Sequence, residues 1–172
     1  MRALIVVESS FGNTRAVADA VAAGLHQVLD VEVVDVADAP SVPESPLDLL
    51  VVGGPTHAFG MSRPETRKDA ARQAGTGGGE GIGVREWLAG AAPTTGAAAA
   101  FDTRIDKKWV PGSAARGIAK GLRALGATLV VPPEGFRVTG TPGPLATGEL
   151  ERARRWGERL ATVLPVADRG HR

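Results

Sequence analysis

Short apolar runs alternate along the chain with longer segments of helical periodicity. Leu4-Ile5-Val6-Val7 is continuously apolar, the pattern of a strand covered on both faces. From Thr14 onward, Val17, Ala20, Val21, Gly24, Leu25 and Val28 recur at helical spacing. Val31 to Val36 reads as a second strand, and Pro40, Pro43 and Pro46 mark a surface loop after it. Leu49-Leu50-Val51-Val52 is a third buried strand, ended by Gly53-Gly54-Pro55. A polar helix is expected from Arg63 to Arg72, then a glycine-rich connection from Gly75 to Gly83 and a short helix around Val84 to Leu88. Ala97 to Phe101 is a fourth strand, weak by propensity because it is mostly alanine. Ala115, Ile118, Ala119, Leu122 and Leu125 form a helical stripe, with Ser113 placed to cap it and Gly126 to stop it. Thr128 to Val131 is a fifth strand, and the chain extends again at Phe136 to Val138. The last helix is expected from about Thr147 to Leu164, capped by Thr147, with Leu150, Ala153, Gly157, Leu160 and Leu164 facing inward.

Strands separated by helices imply right-handed βαβ crossovers. The expected fold is therefore α/β, a doubly wound five-stranded parallel sheet with helices on both faces and strand order 2-1-3-4-5. The 172 residues suit one such domain, residues 1–165, followed by a polar tail at 166–172. Ligands of doubly wound sheets bind beyond the strand C-termini, where the winding direction reverses. That directs attention to the segments after Val7, Val52 and Phe101.

Composition narrows the chemistry. The chain has no cysteine, so disulfides and thiolate chemistry are excluded. His26, His57 and His171 have no ligand-like spacing, and no metal site is expected. A net charge of +1, without a long run of Lys or Arg, argues against nucleic acid as a partner. The apolar run at the N-terminus is too short for a signal peptide or a membrane span, so the expected location is cytoplasmic, without membrane insertion.

The segment after the first strand, Glu8-Ser9-Ser10-Phe11-Gly12-Asn13-Thr14-Arg15, is small, hydroxyl-rich and opens directly into a helix. Free backbone N–H groups at a helix N-terminus, with Ser and Thr hydroxyls, make a phosphate site. Gly12 lets the backbone turn tightly there. The competing reading is that Asn13 or Thr14 only caps the helix. The segment lacks both G-x-x-x-x-G-K-[ST] and G-x-G-x-x-G. The glycines from Gly75 to Gly83 match the latter in no register and follow no strand, which suits a lid or a plain surface loop.

Ser9-Ser10-Phe11-Gly12-Asn13-Thr14 resembles the phosphate loop of the flavodoxin family, roughly [ST]-x-[ST]-x-N-T. It departs from that pattern at Phe11, where Ser10 is the candidate substitute hydroxyl. Gly53-Gly54-Pro55-Thr56-His57-Ala58-Phe59-Gly60 is similar to the family's flavin-contacting G-x-P-[TV]-[aromatic] loop, with Pro55, Thr56, His57, Phe59 and Gly60 as contacts and a rigid Gly-Pro turn beside the ring. His57 has an alternative as a turn residue bonded to the backbone. Phe101-Asp102-Thr103-Arg104 occupies the place of the family's third flavin loop. The chain has no Tyr for the family's usual ring stack, which leaves Trp109 as the candidate cover, while Trp87 and Trp156 fall in helical packing patterns.

The resemblance implies FMN as cofactor and an electron carrier working between a reductase and an acceptor, as a monomer or weak dimer. The alternative is a small FMN-dependent oxidoreductase acting on a quinone or porphyrinogen-type substrate, with His57 or Arg104 donating a proton or holding an anion. A signalling receiver shares the sheet order but needs an acidic pair after the first strand and an Asp after the third; serines and glycines stand there instead. Arg63, Arg67, Lys68 and Arg72 outnumber Glu65 and Asp69, and Arg104, Lys107 and Lys108 outnumber Asp102 and Asp106. That balance implies a positive field at the flavin, an easier final reduction step and an acidic partner.

Overall fold

The computed structural model describes residues 1–41, 46–107, 109 and 111–164. Pro43, Lys108 and the tail at 166–172 lie outside the described residues. The elements are β1 (Arg2–Val7), α1 (Asn13–Leu25), β2 (Asp30–Asp35), β3 (Leu49–His57), β4 (Gly60–Met61), α2 (Pro64–Ala74), α3 (Val84–Gly90), β5 (Ala97–Ile105), α4 (Ala114–Ala124), β6 (Thr128–Leu129), β7 (Glu134–Val138) and α5 (Glu149–Val163).

The sheet runs β2-β1-β3-β5-β6, the expected order once the short strands are counted. These five strands pair in parallel, with Ile5 opposite Val33 and Val51 opposite Ala99. Two strands lie off that path: β4 folds back antiparallel on β3, and β7 runs parallel beside the outer half of β5. The fifth strand shrinks to Thr128 and Leu129, and β7 takes over its place along β5.

Because side chains alternate across a strand, each continuous apolar run serves two cores. Ala3, Ile5, Val7, Leu49 and Val51 face α1 and α5, while Leu4, Val6, Leu50 and Val52 face α3 and α4. Phe101, Phe136 and Trp156 form an edge-to-face triad in the first core, with each pair of centroids 6.1 Å apart. Trp87 packs in the second. Helices α1 and α5 meet through Gly24 and Gly157, where a Cβ on either would overlap the opposite backbone.

Local chemistry explains most helix ends. Ser113 caps α4, accepting from Arg116 N at 3.3 Å, and Gly126 stops it at φ +100°. The expectation for α5 is corrected. Gly148, not Thr147, is its N-cap and makes no side-chain capping bond, and Leu150 is exposed because the buried stripe starts at Ala153. The glycine-rich connection is shaped by close contacts. Gly75 ends α2, Gly79 lies against the Arg67 carbonyl, and Gly83 is packed among the side chains of Glu8, Ser62 and Arg67, where a Cβ has no room. Among the described residues no helix is long and apolar enough to cross a membrane.

Candidate functional site

The turn after β1 is organised by one hydroxyl. Ser9 Oγ accepts from Gly12 N at 3.1 Å and Arg15 N at 3.3 Å, and Gly12 holds φ +87° at the helix N-cap. Ser9 thus does the capping expected of Asn13 or Thr14. Among the described residues, the amides of Ser10, Phe11, Asn13 and Thr14 find no protein acceptor. They sit at the positive end of the α1 dipole, the arrangement that receives an anion. Asn13 instead donates through Nδ2 to Pro142 O at 2.7 Å, tying the turn to the segment after β7. Thr14 is buried, its hydroxyl 2.7 Å from that of Thr103 on β5.

The other two segments are not the loops expected. β3 continues through Gly53-Gly54-Pro55-Thr56 to His57, and β5 through Asp102 and Thr103 to Ile105, with Gly54 opposite Asp102 and Pro55 opposite Thr103. Gly53 serves packing here, since a Cβ would overlap the Phe101 ring. The Gly-Pro segment is therefore strand rather than turn. The turn comes later, at Ala58 and Phe59, which hold φ of 42° and 77° in the two-residue hairpin between β3 and β4. Positive φ at both is costly for side-chain-bearing residues, and Gly112 backs the turn so closely that a Cβ there would overlap the Phe59 carbonyl.

These strand ends and the first turn share one open cleft of about 80 Å³. Ser10, Phe11, Asn13 and Thr14 form one wall, Pro55, Thr56 and His57 the second, and Thr103 and Arg104 the third. Ile105, Val138, Gly140, Thr141 and Pro142 complete it. The last three were not expected from the sequence, although Thr-Gly-Thr-Pro-Gly-Pro directly after a strand at the carboxyl edge is a readable signal. An adjoining cavity of about 400 Å³ shares Thr56, Arg104 and Ile105 and adds Phe59, Lys107, Gly112 and Arg137.

The remaining expected contacts lie elsewhere. Phe101 is wholly buried in the aromatic triad, and Gly60 pairs with His57 in the hairpin. Asp102, also fully buried, holds the start of α4: Oδ2 accepts from Ser113 Oγ at 2.7 Å, Ala115 N at 3.0 Å and Thr56 Oγ1 at 3.1 Å. Its Oδ1 lies 3.5 Å from Arg104 Nε, and neither atom completes a hydrogen bond. Trp109 is 93% exposed and lines neither cavity. Trp87 and Trp156 are core, as expected.

The positive field inferred from the sequence is largely cancelled. Arg104 faces Asp102, Arg67 pairs with Glu86 at 3.1 Å, and Arg72 pairs with Asp69 at 3.3 Å. Arg63, Lys68 and Lys107 are exposed, where solvent and salt screen them. Unread in the sequence was a buried polar network between the turn after β1 and α2. Glu8 accepts from Val84 N at 2.8 Å and from Ser62 Oγ, and buried Arg67 donates to Ser62 Oγ at 3.0 Å. His57 lies beside it, its Nδ1 3.2 Å from Thr66 Oγ1. Burial lowers the His57 pKa below 6.5; the Glu8 charge opposes that, and Arg67 adds to it.

No family model and no curated protein matches this sequence. The structure does match solved folds over nearly its whole length. A flavodoxin from the domain Archaea aligns with TM-score 0.66 and 23% identity, covering 95% of this chain and 99% of that one. Oxidised Flavodoxin 1 from Bacillus cereus aligns with TM-score 0.69 and 19% identity, covering 96% and 100%. A flavodoxin, WrbA-like protein from Agrobacterium tumefaciens aligns with TM-score 0.59 and 19% identity, covering 95% and 96%. The parallel order β2-β1-β3-β5-β6, the cleft at its switch point and these alignments together show that the chain has the flavodoxin fold.

Proposed function

We propose that this protein binds FMN in the cleft and carries electrons between a reductase and an acceptor protein. The observation that carries the reading is the set of four unpartnered amides, at Ser10, Phe11, Asn13 and Thr14, at the α1 N-terminus. They open into a cleft whose other walls are the ends of β3 and β5. A phosphate fits those amides without a basic side chain, because the helix dipole and directed N–H groups supply the stabilisation. The cleft combines apolar side chains such as Phe11, Pro55 and Ile105 with hydroxyls, an imidazole and a guanidinium, a mixture that suits a cofactor with a ring and a polar tail.

Within that reading, FMN supplies the redox chemistry and the protein supplies binding, orientation and electrostatics. Ser9 holds the turn in shape, and Asn13 fastens the segment from Gly140 to Pro142 over it. Thr56 and His57 lie beside Thr103 and Arg104 at the ends of neighbouring strands and line the cleft with them. Phe59 and Trp109 are exposed nearby and suit contact with a redox partner, consistent with a carrier. The flavodoxins whose structures align with this chain support the same class.

The second reading, an FMN-dependent oxidoreductase acting on a quinone or porphyrinogen-type substrate, draws on the adjoining cavity. Its volume and its lining of Arg104, Lys107 and Arg137 leave room for a small anionic or polar substrate. The visible spectrum of the protein reconstituted with FMN tests the shared part. A perturbed bound-flavin spectrum is expected, and a spectrum identical to free FMN would contradict it. Sustained quinone turnover with a nicotinamide donor would move the assignment from carrier to enzyme.

A further inference from the structure

The imidazole of His57 is held in place at Nδ1 by the hydroxyl of Thr66. Thr66 Oγ1 donates to Arg63 O at 3.1 Å and accepts from Arg63 N at 2.9 Å. With that proton on Arg63 O, the contact with His57 Nδ1 at 3.2 Å is made by Nδ1 as the donor. Neutral His57 thus keeps its lone pair on Nε2. No protein group bonds Nε2 among the described residues, and the ring lines the cleft. We infer that His57 is the proton-handling residue of the site, taking up a proton at Nε2 as negative charge enters the cleft and releasing it when the charge leaves. This rests on the proposed flavin site and deepens it.

The surrounding charges favour such a poised group. Glu8 at the end of β1 favours the imidazolium, while Arg67 on α2 disfavours it. Arg67 is itself paired with Glu86 of α3. On the neighbouring strand, Arg104 and buried Asp102 of β5 offset one another. With fixed charges of both signs balanced around a partly buried ring, a new negative charge in the cleft decides the protonation state. The electron comes from an external reductant, the proton comes from water, and the only bond made is Nε2–H.

The test uses the protein loaded with FMN and reduced with dithionite. In a His26→Gln/His171→Gln background, His57 is the only imidazole, and its ring proton signal is followed against pH in both redox states. The expected result is a titration midpoint at least one pH unit higher, a tenfold change in proton affinity, after reduction. A reduction potential series against pH, comparing wild type with His57→Gln, gives the reciprocal reading. Wild type should lie above the variant at low pH. Between the two midpoints the gap should close by about 30 mV per pH unit, the tenfold equivalent for the two-electron reduction. Equal midpoints in both states, or parallel potential curves, would overturn the inference while FMN remained bound. Failure to bind FMN would show in the visible spectrum first and would overturn the flavin reading along with it.

Discussion

Thr14 Oγ1 and Thr103 Oγ1 lie 2.7 Å apart, both buried, and this bond locks the first turn of α1 to the end of β5. The Thr14 hydroxyl thus has a partner within the protein, besides the phosphate role that Asn13-Thr14 suggests in the sequence. Thr14→Val leaves the Thr103 hydroxyl buried without a partner, at a cost of about 1–3 kcal/mol. Thr103→Val should cost about the same. The double variant should lose less than the sum of the two, because one bond is counted twice. Urea unfolding without ligand checks this, and strict additivity would contradict a shared bond.

Gly157→Ala should destabilise the protein, against helix propensity. In an isolated helix, alanine gains about 1 kcal/mol over glycine. Here a Cβ would overlap the Val21 carbonyl of α1, and overpacking of this kind typically costs about 1–3 kcal/mol. A thermal melt decides the sign; a raised Tm would contradict the close packing of α1 against α5.

Acid should act in two windows. Burial holds His57 below 6.5, so folding favours its neutral form; that contribution is lost as pH falls from 6.5 through the folded pKa. Glu149 is lowered from 4.5 by its bond to Arg152, with burial opposing and Arg137 N assisting. For Glu86, burial raises the pKa, but bonds from Arg67 and Gly83 N outweigh it. The stability these two carboxylates supply is present above 4.5 and is lost as pH falls below it. His57→Gln should flatten the Tm-versus-pH slope just below pH 6.5, and Glu149→Gln the slope below pH 4.5. Unchanged slopes would contradict the assignments.

The order of strands and the place of the cleft were legible because β1 and β3 are apolar on both faces, which only a parallel sheet between helix layers satisfies. Strand ends were not. Gly53, Gly54 and Pro55 carry turn chemistry, yet Gly53 is fixed by the Phe101 ring, a contact 48 positions away that no local pattern announces. The Glu8–Ser62–Arg67 network was hidden for the same reason, since its members come from the turn after β1, the segment between β4 and α2, and α2 itself. Arg104 and Arg67 read as free positive charges until the fold set Asp102 and Glu86 beside them.

The central claim is that the open amides at the start of α1 hold a phosphate while the strand ends hold a flavin ring. Equilibrium titration of the apoprotein with FMN and with riboflavin, followed by flavin fluorescence, tests it most directly. Charge-assisted hydrogen bonds to phosphate contribute about 1.5–3 kcal/mol each, so FMN should bind one per chain and at least tenfold more tightly than riboflavin. Equal affinity for the two, or no saturable binding of FMN, would contradict the account.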